Sequence, residues 1–179
     1  HGDDRGAVLP PNVAPIQVVI VPVPVEGEAA ERLKAYVREV EEELRRAGVR
    51  VHVDWREDVR PGRKFYEWEA KGVPLRIEIG ARELETNTVL VARRDTLEKR
   101  VVERARLVEE VKRLLDDIME NLRRRAWEWR ERMVRRTDSL DEARRLLETE
   151  RGIVEVPWCG REECGLRLRE EAGAAVLGS

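Results

Sequence analysis

The sequence predicts an α/β fold organised on a largely parallel sheet, and three observations carry that expectation. Short, almost continuously apolar runs at 14–23 and 88–92 read as strands. Segments 49–54 and 74–80 alternate apolar with polar residues, as a strand with two unlike faces does. Between the first two of these strands, Ala30, Leu33, Val37, Val40, Leu44 and Ala47 recur at steps of three and four, which is one apolar stripe of a helix. Strand, helix and strand joined by short connections make an α/β unit.

The elements follow in order. Residues 1–11 read as a loop, because Pro10 and Pro11 forbid helix. In 14–23, Ile16, Val18, Val19, Ile20 and Val21 suit a strand covered on both faces, and Pro22 and Pro24 end it. The helix 28–47 stops at Gly48, a residue able to take positive φ. Val49, Val51 and Val53 then alternate with Arg50, His52 and Asp54. A Pro61-Gly62 break opens a mixed aromatic and charged segment, read as a short helix or loop. In 74–80, Leu75, Ile77 and Ile79 point to a core while Arg76 and Glu78 point out of the other face. After a short polar connection comes 88–92. From 97 to 136 the steps of Val101, Ala105, Val108, Val111, Leu115, Ile118, Leu122, Ala126, Trp129 and Met133 predict one long helix. Ser139 with Glu142 forms a capping-box pattern for a helix through Thr149, Gly152 ends it, and 153–156 reads as a short strand.

A chain of 179 residues is enough for one ordinary domain or two small ones. Charged residues make up 40% of it, yet the net charge is −2, so any nucleic-acid binding must come from local arrangement rather than bulk attraction. The density of Arg and Glu also fits surface ion-pair networks of thermophilic proteins. No apolar run reaches the roughly 18 residues that span a membrane, and no signal peptide is recognisable; a soluble, cytoplasmic protein is expected. The absence of a Gly-rich phosphate loop after any strand argues against a dinucleotide or P-loop site. His1, Asp3 and Asp4 read as a solvated connector, His52 as a residue on a strand's polar face, and Arg123 to Arg125 with Arg130, Arg132, Arg135 and Arg136, interleaved by Glu128 and Glu131, as a solvated helix face. Cys159 and Cys164 are able to share one zinc, but a closed structural site needs four ligands, so Zn²⁺ is expected to be weak at best.

The run KFYEWEAKGVPLRIEIG at 64–80, followed by VLVARRD at 89–95, resembles the anticodon-binding domain of prolyl-tRNA synthetases of the archaeal and eukaryotic-like type. HGDDRGAVLPPNVAPIQVVIVPV at 1–23 is similar to the family's passage out of its catalytic domain. VPWCGREECGLRLREEAGAAVLG at 156–178 is similar to the start of its C-terminal, often zinc-binding, domain. The resemblance implies a class IIa anticodon-binding fold, a mixed, largely parallel five-stranded sheet with flanking helices. It places the end of the catalytic domain at 1–13, the anticodon-binding domain at 14–100, and a helical connection with a truncated small α/β domain at 101–179. A chain that opens on His1 with interior wording of the family is expected to be a fragment. The implied whole enzyme attaches proline to tRNA(Pro) with ATP and Mg²⁺ and acts as a homodimer. This chain is expected to lack catalytic residues, to need no cofactor of its own, and to partner the catalytic domain and the tRNA.

The implied anticodon carries two guanines. An unpaired guanine offers N1–H and N2–H donors beside its O6 acceptor, which a carboxylate and a cation complement, and it needs a flat group to stack on. Glu67, Glu69 and Glu78, the cations Lys64, Lys71, Arg76, Arg93 and Arg94, and Phe65, Tyr66 and Trp68 supply these chemistries. Matched to the family's wording, the anticodon-binding candidates are Lys64, Trp68, Glu69, Lys71, Arg76 and Glu78. Trp68 is equally a core residue, and Glu69 equally a partner for a nearby lysine. Arg63 departs from the apolar or aromatic residue expected there. The alternative function is a stand-alone scaffold or dimerisation protein that uses the fold without reading tRNA.

Overall fold

A computed structural model describes residues 2–149 and 152–177. They fall into two compact units that meet in sequence at Arg123 and Arg124.

The first unit begins with a small antiparallel hairpin, β1 (Gly2–Asp3) and β2 (Gly6–Ala7). Then follow β3 (Val18–Pro22), α1 (Glu28–Arg46), β4 (Val51–Val53), α2 (Pro61–Ala70), β5 (Leu75–Ile79), α3 (Ala81–Thr86), β6 (Thr88–Arg93), β7 (Lys99–Glu103), a single 3₁₀ turn and α4 (Leu107–Met133). Five strands form one sheet in the order β4-β3-β5-β6-β7. The pairings of β3 with β4 and β5 are parallel, while β5 with β6 and β6 with β7 are antiparallel, so the sheet is mixed in equal parts.

α1 forms as its stripe predicts: Leu33, Val37, Val40 and Leu44 are buried, and Gly48 at φ 83° closes the helix. The main core lies on one face of the sheet, where Val18, Ile20, Leu75, Ile77 and Val91 pack with the stripe of α1 and with Val111, Leu114 and Ile118 of α4. The opposite face carries a smaller cluster, Val19, Val21, Trp68 and Val73, under α2. This two-sided cover explains the unbroken apolar run of β3. It also changes the reading of β5, because Arg76 and Glu78, expected to point outward, are only 6% and 7% exposed.

Three expectations are corrected. The long helix 97–136 is a strand, a 3₁₀ turn and a 27-residue helix that ends at Met133. Val101 and Ala105 continue the helical spacing by coincidence: in β7, Val102 is buried while Val101 is 57% exposed. Consequently a domain boundary at residue 100 would cut β7, and the first unit extends through Arg123. Finally, the opening segment is no solvated connector. Asp3 forms a bidentate pair with Arg94 at 2.6 and 2.7 Å. Val8 and Ala14 are buried, while Asp4 is exposed to solvent. His1 lies outside the described residues.

The second unit contains the last turns of α4, then β8 (Val134–Arg136), α5 (Leu140–Thr149), β9 (Ile153–Glu155) and α6 (Glu162–Ala172), with β8 and β9 parallel. The expected capping box is half present. The Ser139 hydroxyl accepts the Glu142 N–H at 3.3 Å, but Glu142 accepts from the Thr137 hydroxyl and leaves the Ser139 N–H to Thr137 Oγ1.

Candidate nucleic-acid interface

Strand registers place the candidate side chains. On the face that carries α2, His52, Val19, Arg76, Ala92 and Lys99 form one row across the sheet, and Val21, Glu78, Leu90 and Val101 the next. Trp68 and Phe65 of α2 cover the β3 side of this face. Toward β7, half-buried Leu90 and exposed Val101 leave the sheet surface open. This uncovered part of the sheet is bordered by the charges of Glu78 and Lys99 beside Phe65.

α2 starts at Pro61, which fits the first helical position because its missing N–H has no partner to lose there. It is fixed to the sheet by Asp54. Lys64 Nζ donates to the Asp54 carbonyl at 3.1 Å, and Trp68 Nε1 to Asp54 Oδ2 at 2.8 Å. Arg56 closes the other side with two bonds to the carboxylate, at 2.9 and 2.7 Å. The Arg56 hydrogen bonds hold the Asp54 carboxyl well below the usual carboxylate range against the opposing effect of burial, with Trp68 and Lys64 assisting. Lys64 and Trp68, 3% and 7% exposed, are thus committed to holding α2 in place. Lys71 is exposed, with its ammonium 4.2 Å from the centre of the Trp68 ring, and the His52 ring lies tilted against the same ring with centroids 5.1 Å apart.

The other three candidates form one chain of charges. Arg76 donates twice to Glu78 Oε1, at 3.1 and 2.9 Å, and once to Glu69 Oε1 at 2.8 Å. Its guanidinium lies 4.4 Å from the Phe65 ring centre. Lys99 pairs with Glu78 Oε1 at 2.9 Å, and Arg5 with Glu69 Oε2 at 3.2 Å. Burial pushes the Glu69 carboxyl up, but the bonds and charges from Arg76 and Arg5 outweigh it and hold it below its ordinary value. Glu69 pairs with arginines, not with a lysine. The order Arg5–Glu69–Arg76–Glu78–Lys99 alternates sign beside the Phe65 ring, which the Arg76 guanidinium and the Lys99 ammonium both approach.

Sequence reasoning offered other groups that the fold uses elsewhere. Arg93 is forked onto Asp95 at 2.9 and 2.7 Å, and Arg94 onto Asp3. Glu67 pairs with Arg56 and Arg63, and Arg63, where an apolar residue was expected, is an exposed ion-pair partner. Tyr66 is exposed. The missed members are Lys99 and Arg5: Lys99 was hidden by the false helix, and Arg5 by its distance of 64 positions from Glu69.

In the second unit, Cys159 is exposed and Cys164 sits in the first turn of α6. The Arg161 backbone N–H and the Cys164 side chain hold the Cys159 thiol below its usual value. Among the described residues, no group of three or more His, Cys, Asp or Glu side chains is placed to hold a metal ion. Two thiols do not fit a closed zinc centre, which takes four ligands.

No helix among the described residues is long and apolar enough to cross a membrane. Residues 17–114 match the family described as "Anticodon binding domain". The chain is 60% identical over 178 residues to the proline–tRNA ligase of Thermococcus kodakarensis, and 57% identical over 178 residues to that of Pyrococcus abyssi; each match takes in 99% of this chain and 37% of the relative. The crystal structure of prolyl-tRNA synthetase from Cryptosporidium parvum, complexed with L-proline and AMP, superimposes with a TM-score of 0.88 at 36% identity, over 97% of this chain and 37% of that one. The chain thus spans little more than a third of the length of the relatives it matches. With five strands in the mixed order described and this match across them, the chain belongs to the anticodon-binding domain family, in the form that proline–tRNA ligases carry.

Proposed function

We propose that the chain selects tRNA(Pro) by its anticodon, with the open face beside α2 receiving the two guanines. The observation that supports this most directly is the run Glu69–Arg76–Glu78–Lys99 next to the Phe65 ring. Carboxylates accept guanine N1–H and N2–H, a cation meets O6, and the ring with the open sheet surface supplies stacking. Lys71, exposed on α2's end, is the further cation free to approach the RNA. In this reading Lys64 and Trp68 act through α2, by fixing its position. The whole enzyme joins proline to the tRNA using ATP and Mg²⁺ in the cytoplasm, as a homodimer. This chain contributes selection and positioning, requires no cofactor of its own, and leaves the ligation to the catalytic domain.

Titration of labelled tRNA(Pro), and of the same tRNA with both guanines changed to cytosine, tests the reading at two salt concentrations. Phosphate contacts weaken with salt for both RNAs alike. Base-edge contacts add a difference on the order of 1–3 kcal/mol per base, by analogy with base readout in DNA. Glu69→Gln and Lys71→Ala narrow the gap while the circular dichroism spectrum is retained. Equal affinity of the unmutated chain for both RNAs would discard anticodon reading and leave a scaffold or dimerisation role.

A further inference from the structure

Glu69 is gripped from two sides by arginines of unequal commitment. Arg76, with its side chain 7% exposed, donates to Oε1 at 2.8 Å and is held again by Glu78 and by the Phe65 carbonyl. Arg5, 53% exposed, donates to Oε2 through a single bond at 3.2 Å. A solvent-edge pair of this kind exchanges with water or ligand at little cost.

The hairpin that carries Arg5 is secured without it. Arg94 is bonded to both oxygens of Asp3, to the Gly6 carbonyl at 3.3 Å and to the Glu69 carbonyl at 2.7 Å. The Leu9 N–H donates to the Gly72 carbonyl at 3.2 Å. Letting go of Glu69 therefore costs Arg5 one contact and costs the hairpin none of its other attachments.

We infer that Arg5 is a displaceable cap on Glu69. In the free protein it occupies Oε2, the oxygen that Arg76 does not bind. A guanine that presents N1–H and N2–H takes its place, with Oε1 accepting a second bond beside that of Arg76 because a carboxylate oxygen has two acceptor sites. Arg5 then points free from the hairpin turn, so occupancy of the anticodon face is reported on the segment that precedes the sheet. The inference rests on the anticodon reading above and adds the competing group to it.

Arg5→Ala in the full chain provides the test, with Arg63→Ala as a control that removes one exposed charge paired to Glu67 instead. Loss of charge alone weakens both RNAs equally. Removal of the cap tightens the guanine-containing tRNA about two- to five-fold, the range an exposed ion pair accounts for, and leaves the cytosine-substituted tRNA no tighter. The ratio of the two affinities therefore widens in Arg5→Ala and stays fixed in Arg63→Ala. A ratio that is unchanged or narrower in Arg5→Ala overturns the cap while anticodon reading stands. A ratio of one in the unmutated chain overturns both. Nitrogen NMR of arginine side chains gives an independent readout: the Arg5 guanidinium, assigned by its loss in the variant, moves to the position of a solvated arginine when the tRNA is added. A signal that does not move also overturns the cap.

Discussion

Trp68 and Asp54 are joined by a 2.8 Å hydrogen bond from the indole Nε1 to Oδ2, and this bond ties the last turn of α2 to the residue just past β4. Asp54 also faces Lys64, whose ammonium is 3.8 Å from Oδ1 and 3% exposed. Asp54→Ala leaves a buried ammonium without its countercharge and an indole without its acceptor. A loss of about 3–5 kcal/mol is expected, the usual result of removing one partner of a buried pair. Urea unfolding followed by tryptophan fluorescence measures it, and a loss below about 1 kcal/mol would show that α2 is held in some other way.

Acid should weaken the fold through the same carboxylate and through Asp3. Both carboxyls lie well below the usual range, Asp54 chiefly through its hydrogen bonds from Arg56 and Asp3 chiefly through those from Arg94. A depressed native value means that the unfolded chain takes up protons first as pH falls. Stability from these groups is thus complete above the ordinary aspartate value of about 4 and is lost progressively below it. Thermal melts should be level between pH 7 and about 5 and fall steeply toward pH 2.5. Asp3→Asn should flatten part of that acid slope, and an unchanged slope would remove Asp3 from the account.

The hairpin's seat on α2 depends on glycine. Gly6 has φ 126°, and a Cβ there would lie 2.5 Å from the Ala70 carbonyl oxygen. Gly6→Ala combines a strained backbone with a clash against rigid backbone, so it should destabilise by more than about 1 kcal/mol. Amide exchange should quicken at residues 2–8 in this variant while the strands of the main sheet keep their protection. Uniform protection across the hairpin would contradict the close approach.

Zinc should bind weakly and below one ion per chain, because Cys159 and Cys164 supply two of the four ligands a structural site takes. Metal analysis after dialysis against a mild chelator measures this. One tightly held zinc per chain would mean that further ligands come from outside the described cluster or from a second molecule.

What the sequence determined by itself was whatever repeats locally. The stripe of α1, its Gly48 stop, the strands around Val18, Val51, Leu75 and Val89, and the wording of 64–80 that carries the resemblance can all be read within a few turns of chain. β7 escaped because five residues with one buried side chain give too little alternation to compete with a helical spacing that continues into α4. The candidate site was legible as a list of charges and aromatics, and the list did not separate their roles. Lys64 and Arg76 are both buried cations of one segment, yet one is bound to Asp54 and the other to Glu69 and Glu78. Arg93 and Arg94 are adjacent in sequence, and alternation sends them to opposite faces, onto Asp95 and Asp3. Those pairings join residues up to 91 positions apart. Only tertiary structure decided them, because a charge removed from water must find a partner wherever the packing of the sheet brings one.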